Sequence, residues 1–169
     1  MSENRGLEIA RKQIEFARDY TLTLLDGIDE SDWFRMPEGS PTHLAWEVGH
    51  LAMAEYMLTL FRIRGKIDTD NELIPKPFLR RFVKGSKPEP DPEKHLSPAE
   101  IRGTFDNVHQ QVMAELGDVS EEQLQDTVVE PYAVTNTQLG SLFFCASHEM
   151  LHAGQIGLLR RLLGHNPIR

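Results

Sequence analysis

His148 and His152 stand four residues apart. In a helix that spacing sends both imidazoles off one face, one turn apart, close enough to hold a single ion. Phe144, Cys145, Gln155 and Leu159 fall on the same line, so the pair is expected to face the bundle interior rather than solvent. Buried rings need partners. Spacing alone also admits two core histidines hydrogen-bonded to backbone or to a shared water. His50 is the third candidate, on a helical face that reads His43, Glu47, His50, Ala54, Met57 and Phe61. A site between facing helices draws its ligands from mid-height, and both histidine segments lie near the middle of their helices. Three neutral nitrogens would leave coordination positions for water, as catalytic rather than structural zinc sites do.

Glu47, one turn before His50, is the candidate catalytic residue: either a carboxylate behind a ligand or a proton acceptor for water on the ion. Glu47-Val-Gly-His50 and Glu149-Met-Leu-His152 are also two Glu-x-x-His pairs, half of a ferritin-like di-iron site. The other half needs a core glutamate from each of two further helices, and Glu8, Glu15, Glu100 and Glu115 only neighbour those seams. Glu149, rotated about 100° from His148, is expected to point inward less well than that residue. Cys145 reads as an apolar filler before a nucleophile or fourth ligand. His109 is the spare ligand, His43 a helix-end residue two turns from His50, and His95 and His165 surface residues. Lys76, Arg80, Arg81, Lys84 and Lys87 form a basic patch without an acid, with Phe78 and Phe82 packing its other side. That patch is either a solvated amphipathic turn or a lid that attracts an anionic substrate.

The elements that carry these residues are helices. Leu7, Ala10, Ile14, Ala17, Thr21, Leu24 and Ile28 recur at steps of three and four, predicting a first helix from Glu3 to Leu25. Ser40-Pro41 reads as an N-cap with proline at the first helical position, opening a second helix that runs to Ile63. Gly65, Pro75, Pro77, Gly85, Pro88, Pro90 and Pro92 then make a long crossover loop, with a short helix at Phe78 to Val83 walling a site. Ser97-Pro-Ala-Glu100 is a capping box for a third helix with Ile101, Phe105, Val108 and Val112 inward. Asp118 to Asn136 is irregular, with one capped turn at Ser120. A fourth helix starts near Thr137, buries Leu139, Leu142, Phe143, Ala146, Met150, Leu158, Leu159 and Leu162, and stops at Gly164. Four such helices with a long second connection predict an all-α four-helix bundle, a single domain over 1–169.

The 169 residues suit one domain, and 40% hydrophobic content supports a real core. Twenty-six acids against 18 bases leave a charge of −8, which repels phosphate backbones and argues against nucleic acid. A lone cysteine forms no internal disulfide, and no apolar run approaches a membrane span. With no visible export signal at Met1-Ser-Glu-Asn-Arg-Gly, a cytoplasmic, membrane-free protein is expected.

Trp46-Glu-Val-Gly49-His50-Leu-Ala and His148-Glu-Met-Leu-His152-Ala-Gly154-Gln155-Ile156, followed by Leu-Leu-Arg-Arg-Leu-Leu-Gly, resemble the DinB/YfiT-like superfamily. The resemblance covers the whole order of the bundle. It implies up-up-down-down topology, one divalent metal (zinc, nickel or iron) on His50, His148 and His152, and frequent dimerisation, hence a homodimer. It further implies transferase, isomerase or hydrolase chemistry on a small substrate, with a low-molecular-weight thiol as cosubstrate. The competing reading is a non-catalytic bundle whose metal only staples helices, or whose surface serves as a dimer module.

Overall fold

The seam read in the first segment is the one that packs. In the computed structural model, which describes residues 5–129 and 132–168, α1 spans Arg5–Leu25 and buries Leu7, Ala10, Ile14, Ala17, Thr21 and Leu24. The expected start at Glu3 lies outside the described residues. Helix α2 (Leu44–Leu58) buries thirteen of its fifteen residues, so it has neighbours on all sides and no solvent face. It leads into α3 (Leu60–Arg64), and the crossover carries α4 (Asp70–Leu73) and α5 (Lys76–Phe82). The remaining long helices are α6 (Pro98–Glu115) and α7 (Gln138–Leu162). Helix α1 packs on α7, and α2 packs on α6, α7 and α5. No strand occurs among the described residues beyond an isolated bridge between Thr127 and Thr137. None of their helices is long and apolar enough to cross a membrane.

Local chemistry explains where these helices begin and end. Ser97 and Glu100 cap α6 reciprocally, with Pro98 at the first position, as the sequence predicts. Thr137 caps α7, and Gly164, at φ 95°, ends its last turn in the left-handed region. The second helix departs from expectation at both ends. The Ser40 hydroxyl turns to Thr42, donating to its carbonyl (2.8 Å) and accepting from its N–H (3.3 Å), so it caps no helix. His43 takes over: its Nδ1 accepts from the Trp46 N–H (3.1 Å), and its Nε2–H donates to the Glu89 carbonyl (3.0 Å). Thr59 then breaks the helix at φ −116°, ψ −88°, its hydroxyl donating to the Glu55 carbonyl (2.6 Å). On α7 the inward face is Leu142, Cys145, Ala146, Glu149, Ala153, Ile156 and Leu159, whereas Met150, Leu158 and Leu162, expected in the core, are exposed.

One charged cluster ties the long helices together. Arg18 of α1, 2% exposed, donates from Nε to Glu149 of α7 (2.9 Å) and from its terminal nitrogens to Glu55 of α2 (2.6 Å) and the Phe105 carbonyl of α6 (2.9 Å). Its guanidinium also lies 3.4 Å from the centroid of the Phe105 ring. His109 donates from Nδ1 to the other Glu55 oxygen (2.7 Å). The guanidinium satisfies both buried carboxylates, which would otherwise be too costly to bury. This corrects the expectation for Glu149, which points into the bundle more completely than His148 does.

Candidate metal centre

His50 leaves the middle of α2 toward α7. Its Nδ1 lies 2.7 Å from the Phe82 carbonyl at the end of α5. A carbonyl only accepts, so Nδ1 carries the proton and Nε2 keeps its lone pair. Glycine at position 49 permits this contact, because a Cβ there would fall 2.5 Å from the Phe82 ring. Trp46, one turn earlier, stacks on the His50 imidazole at 4.8 Å between centroids and 6° between planes, and its indole N–H donates to Ser86 (3.0 Å). The ring of His50 is therefore held at its edge and on one face.

His152 is oriented in the same way by an acid. Its Nδ1 lies 2.6 Å from Glu47 Oε2, and Glu47 Oε1 accepts from the Thr42 hydroxyl at 2.7 Å. Glu47 is buried, and its carboxylate fixes the Nδ1–H tautomer of His152, again leaving Nε2 free. His148 completes the group, with ring centroids 5.2 Å from His50 and 4.5 Å from His152, and those two 4.7 Å apart. One ligand atom from each histidine lies within 4.8 Å of the others, and no other such metal-competent cluster occurs among the described residues.

The electrostatics keep two of the rings in their neutral form. Burial, with His152 and His50 close by, pushes the His148 pKa down to about 3. Burial lowers His50 as well, with His152 adding to the effect and the Phe82 carbonyl opposing it. Both rings are thus neutral donors at pH 7, the state a metal needs. Three imidazoles, two of them with the Nδ1 proton held by a fixed acceptor, fit a divalent transition metal.

The three rings lie on the wall of a cleft of about 820 Å³ between α2, α7, the segment after α5, and Thr127, Val128, Val129 and Tyr132. The pair therefore faces a cleft, where the sequence predicted the bundle interior. The crossover does wall it, as expected, through Val83, Lys84 and Gly85. Of the five patch cations only Lys84 lines the cleft, and Arg81 instead donates to the Lys94 carbonyl (2.6 Å). Phe78 and Phe82 are buried on the far side of the patch, as predicted.

The remaining candidates fall elsewhere. Cys145 is buried beside the Arg18 cluster, where burial and the nearby Glu55 and Glu149 push its thiol well above the usual range. His109 is engaged by Glu55. His95 and His165, expected at the surface, are half-buried and bonded, to the Glu89 carbonyl (2.7 Å) and Asp32 (3.0 Å). The two Glu-x-x-His pairs do not converge: Glu47 sits behind His152, and Glu149 is held by Arg18. Glu8, Glu15 and Glu100 are exposed, and Glu115 is paired with Arg64, so the carboxylates a di-iron site requires are not there. Sequence reasoning missed Arg18, the Phe82 carbonyl and Tyr132; of the ring contacts only Trp46, four residues before His50, carried a spacing signal.

A family model described as the DinB superfamily matches residues 13–156, a span that includes all three histidines and Glu47. A comparison with curated proteins finds no match.

Proposed function

The chain belongs to the DinB superfamily, and from that premise we propose that it is a metal-dependent enzyme with one divalent transition metal (zinc, nickel or iron) on His50, His148 and His152. The long helices would form that family's up-up-down-down bundle. The chemistry is transfer, isomerisation or hydrolysis of a small substrate, with a low-molecular-weight thiol as cosubstrate. The observation that carries this reading is the pair of fixed Nδ1 protons: Phe82 and Glu47 leave the Nε2 atoms of His50 and His152 free to converge with His148 beside a cleft. When bound there, the ion supplies a positive charge that lowers the pKa of a water or thiol sharing it.

The chain's own residues do the rest. Glu47 strengthens His152 as a donor through the Nδ1 hydrogen bond, and with its second oxygen held by Thr42 it is a positioning residue rather than the base. Trp46 and Phe82 hold the His50 ring in plane. The apolar wall of the cleft excludes water from whatever lies against the triad. The cleft beside the triad also favours an enzyme over a metal that only staples helices.

The test is turnover of a chromogenic electrophile with low-molecular-weight thiols by the metal-loaded protein. Activity is expected to require metal and to be lost in His50→Ala with helicity retained. Cobalt-substituted protein whose spectrum shows four protein ligands and no response to any thiol would replace the enzyme with the stapled bundle.

A further inference from the structure

The cleft carries more chemistry than the triad. Helices α2 and α3 contribute Met53, Met57 and Phe61 to its lining, and Val128, Val129 and Phe144 line it as well. Two methionines among β-branched and aromatic residues make an adaptable apolar wall. Its charged lining residues are Lys84 and Arg62, and no carboxylate lines it among the described residues. Arg62 is committed to the protein: it donates to the Tyr132 carbonyl (2.7 Å), the Ser141 hydroxyl (2.8 Å) and the Val129 carbonyl (3.4 Å). Lys84 is held by a neutral partner, with its ammonium 2.5 Å from the Tyr132 hydroxyl and 5.0 Å from the centre of the same ring. Tyr132 reaches this position from a left-handed backbone, φ 78°, which a non-glycine residue adopts only where its surroundings hold it there.

An anion outcompetes a phenol for an ammonium, because it accepts the same hydrogen bond and adds the attraction between two full charges, where the phenol offers only a dipole. Volume, lining and charge then specify an occupant. A cleft of about 820 Å³ takes a drug-sized molecule. We infer that the ligand of this cleft is an elongated molecule with an apolar body and one anionic end, its body against the Met53–Met57 wall and its anion on Lys84, displacing the Tyr132 hydroxyl. The inference rests on reading this cleft as the working site. It needs no metal contact by the anionic end.

Alkyl sulfonates test it, since sulfonate binds ammonium groups well and zinc poorly. Butane-, hexane- and octanesulfonate, below micellar concentrations, are titrated into metal-free protein carrying ¹³C-methyl methionine. Affinity is expected to rise about two- to fourfold per methylene, with the Met53 and Met57 methyls shifting. Met150, exposed on the face between α1 and α7, is the control methyl and should stay still. Lys84→Met should weaken octanesulfonate about tenfold, and octylammonium should bind at least as poorly as octanesulfonate binds that variant. Affinity independent of chain length, equal binding of octylammonium, or shifts centred on Met150 would overturn the inference. Zinc stoichiometry is scored separately. Normal sulfonate binding by a protein that takes up no zinc in the separate titration removes only the metal reading, and normal zinc uptake with flat chain-length dependence removes only this one.

Discussion

Replacing Gly49 by alanine should loosen the metal site without touching a ligand. The added methyl would lie 2.5–2.6 Å from three carbons of the Phe82 ring, where relaxed carbon contacts are about 3.5–4.0 Å. Phe82 is fully buried, so its ring must retreat by roughly 1 Å, and α5 must move with it. Gly103→Ala is the matched control: it is also helical, in α6, and nothing lies within 4 Å of its new methyl. Both variants gain the same helix propensity of about 1 kcal/mol, so the difference between them isolates overpacking, about 1–3 kcal/mol. In melting temperature that is roughly 2–12 °C for a domain of this size. Moving α5 also carries the Phe82 carbonyl away from His50 Nδ1, now at 2.7 Å, and losing such a partner weakens metal binding about 10–100-fold. Thermal melts and zinc competition against a chromogenic chelator read the two effects. Gly49→Ala with the stability and zinc affinity of Gly103→Ala would refute the claim that α5 orients His50.

Four further outcomes follow from other parts of the molecule. Glu47→Gln should keep the fold and lower zinc affinity about tenfold or more, because a neutral amide replaces the carboxylate behind His152; unchanged affinity in the same competition assay would remove its positioning role. Arg18→Met should cost about 3–5 kcal/mol in urea unfolding, since Glu55 and Glu149 would stay buried without their cation, and a loss under 1 kcal/mol would mean that the cluster is not what ties the helices. Burial depresses the pKa of His43 below 6.5, so between that value and the lower folded one the unfolded chain binds more protons and stability falls with falling pH, by at most about 1.4 kcal/mol per unit; a His43→Asn variant, which keeps a capping acceptor, should show a shallower decline by urea midpoint. The expected homodimer has an available face in the exposed Ile9, Phe16, Met150 and Leu158 of α1 and α7, and light scattering should find Phe16→Glu monomeric if that face is the interface.

The histidines were legible because a helical period turns spacing into geometry: four residues apart is one turn, whichever fold surrounds it. The cap at Ser97 was legible for the same reason, since a cap needs only its own first turn, whereas at Thr137 the sequence marked the start of the helix and the structure its cap. Arg18 was not. It follows Ala17 on a seam of apolar residues, and its acidic partners lie 37 and 131 positions away in the chain, so nothing local marks it as buried. Glu149 was misplaced by the same blindness, because only Arg18 makes its inward position affordable. The start of α2 was misread because Ser40 and His43 both offer a capping acceptor, and a backbone turn at Thr42 decided between them. Met150, Leu158 and Leu162 satisfy an apolar pattern on a helix whose inward face is partly occupied by Glu149 and by small residues. The basic patch was visible as charge, but which one of its five cations meets the cleft depends on how α5 packs on α2.

The central claim is that three histidines hold one ion, and calorimetric titration of zinc into metal-free, untagged protein measures it directly. The account predicts one ion per chain, and loss of that binding in His148→Ala with helicity unchanged. Two ions per chain, or full affinity in His148→Ala alongside loss in His109→Ala or Cys145→Ala, would contradict it.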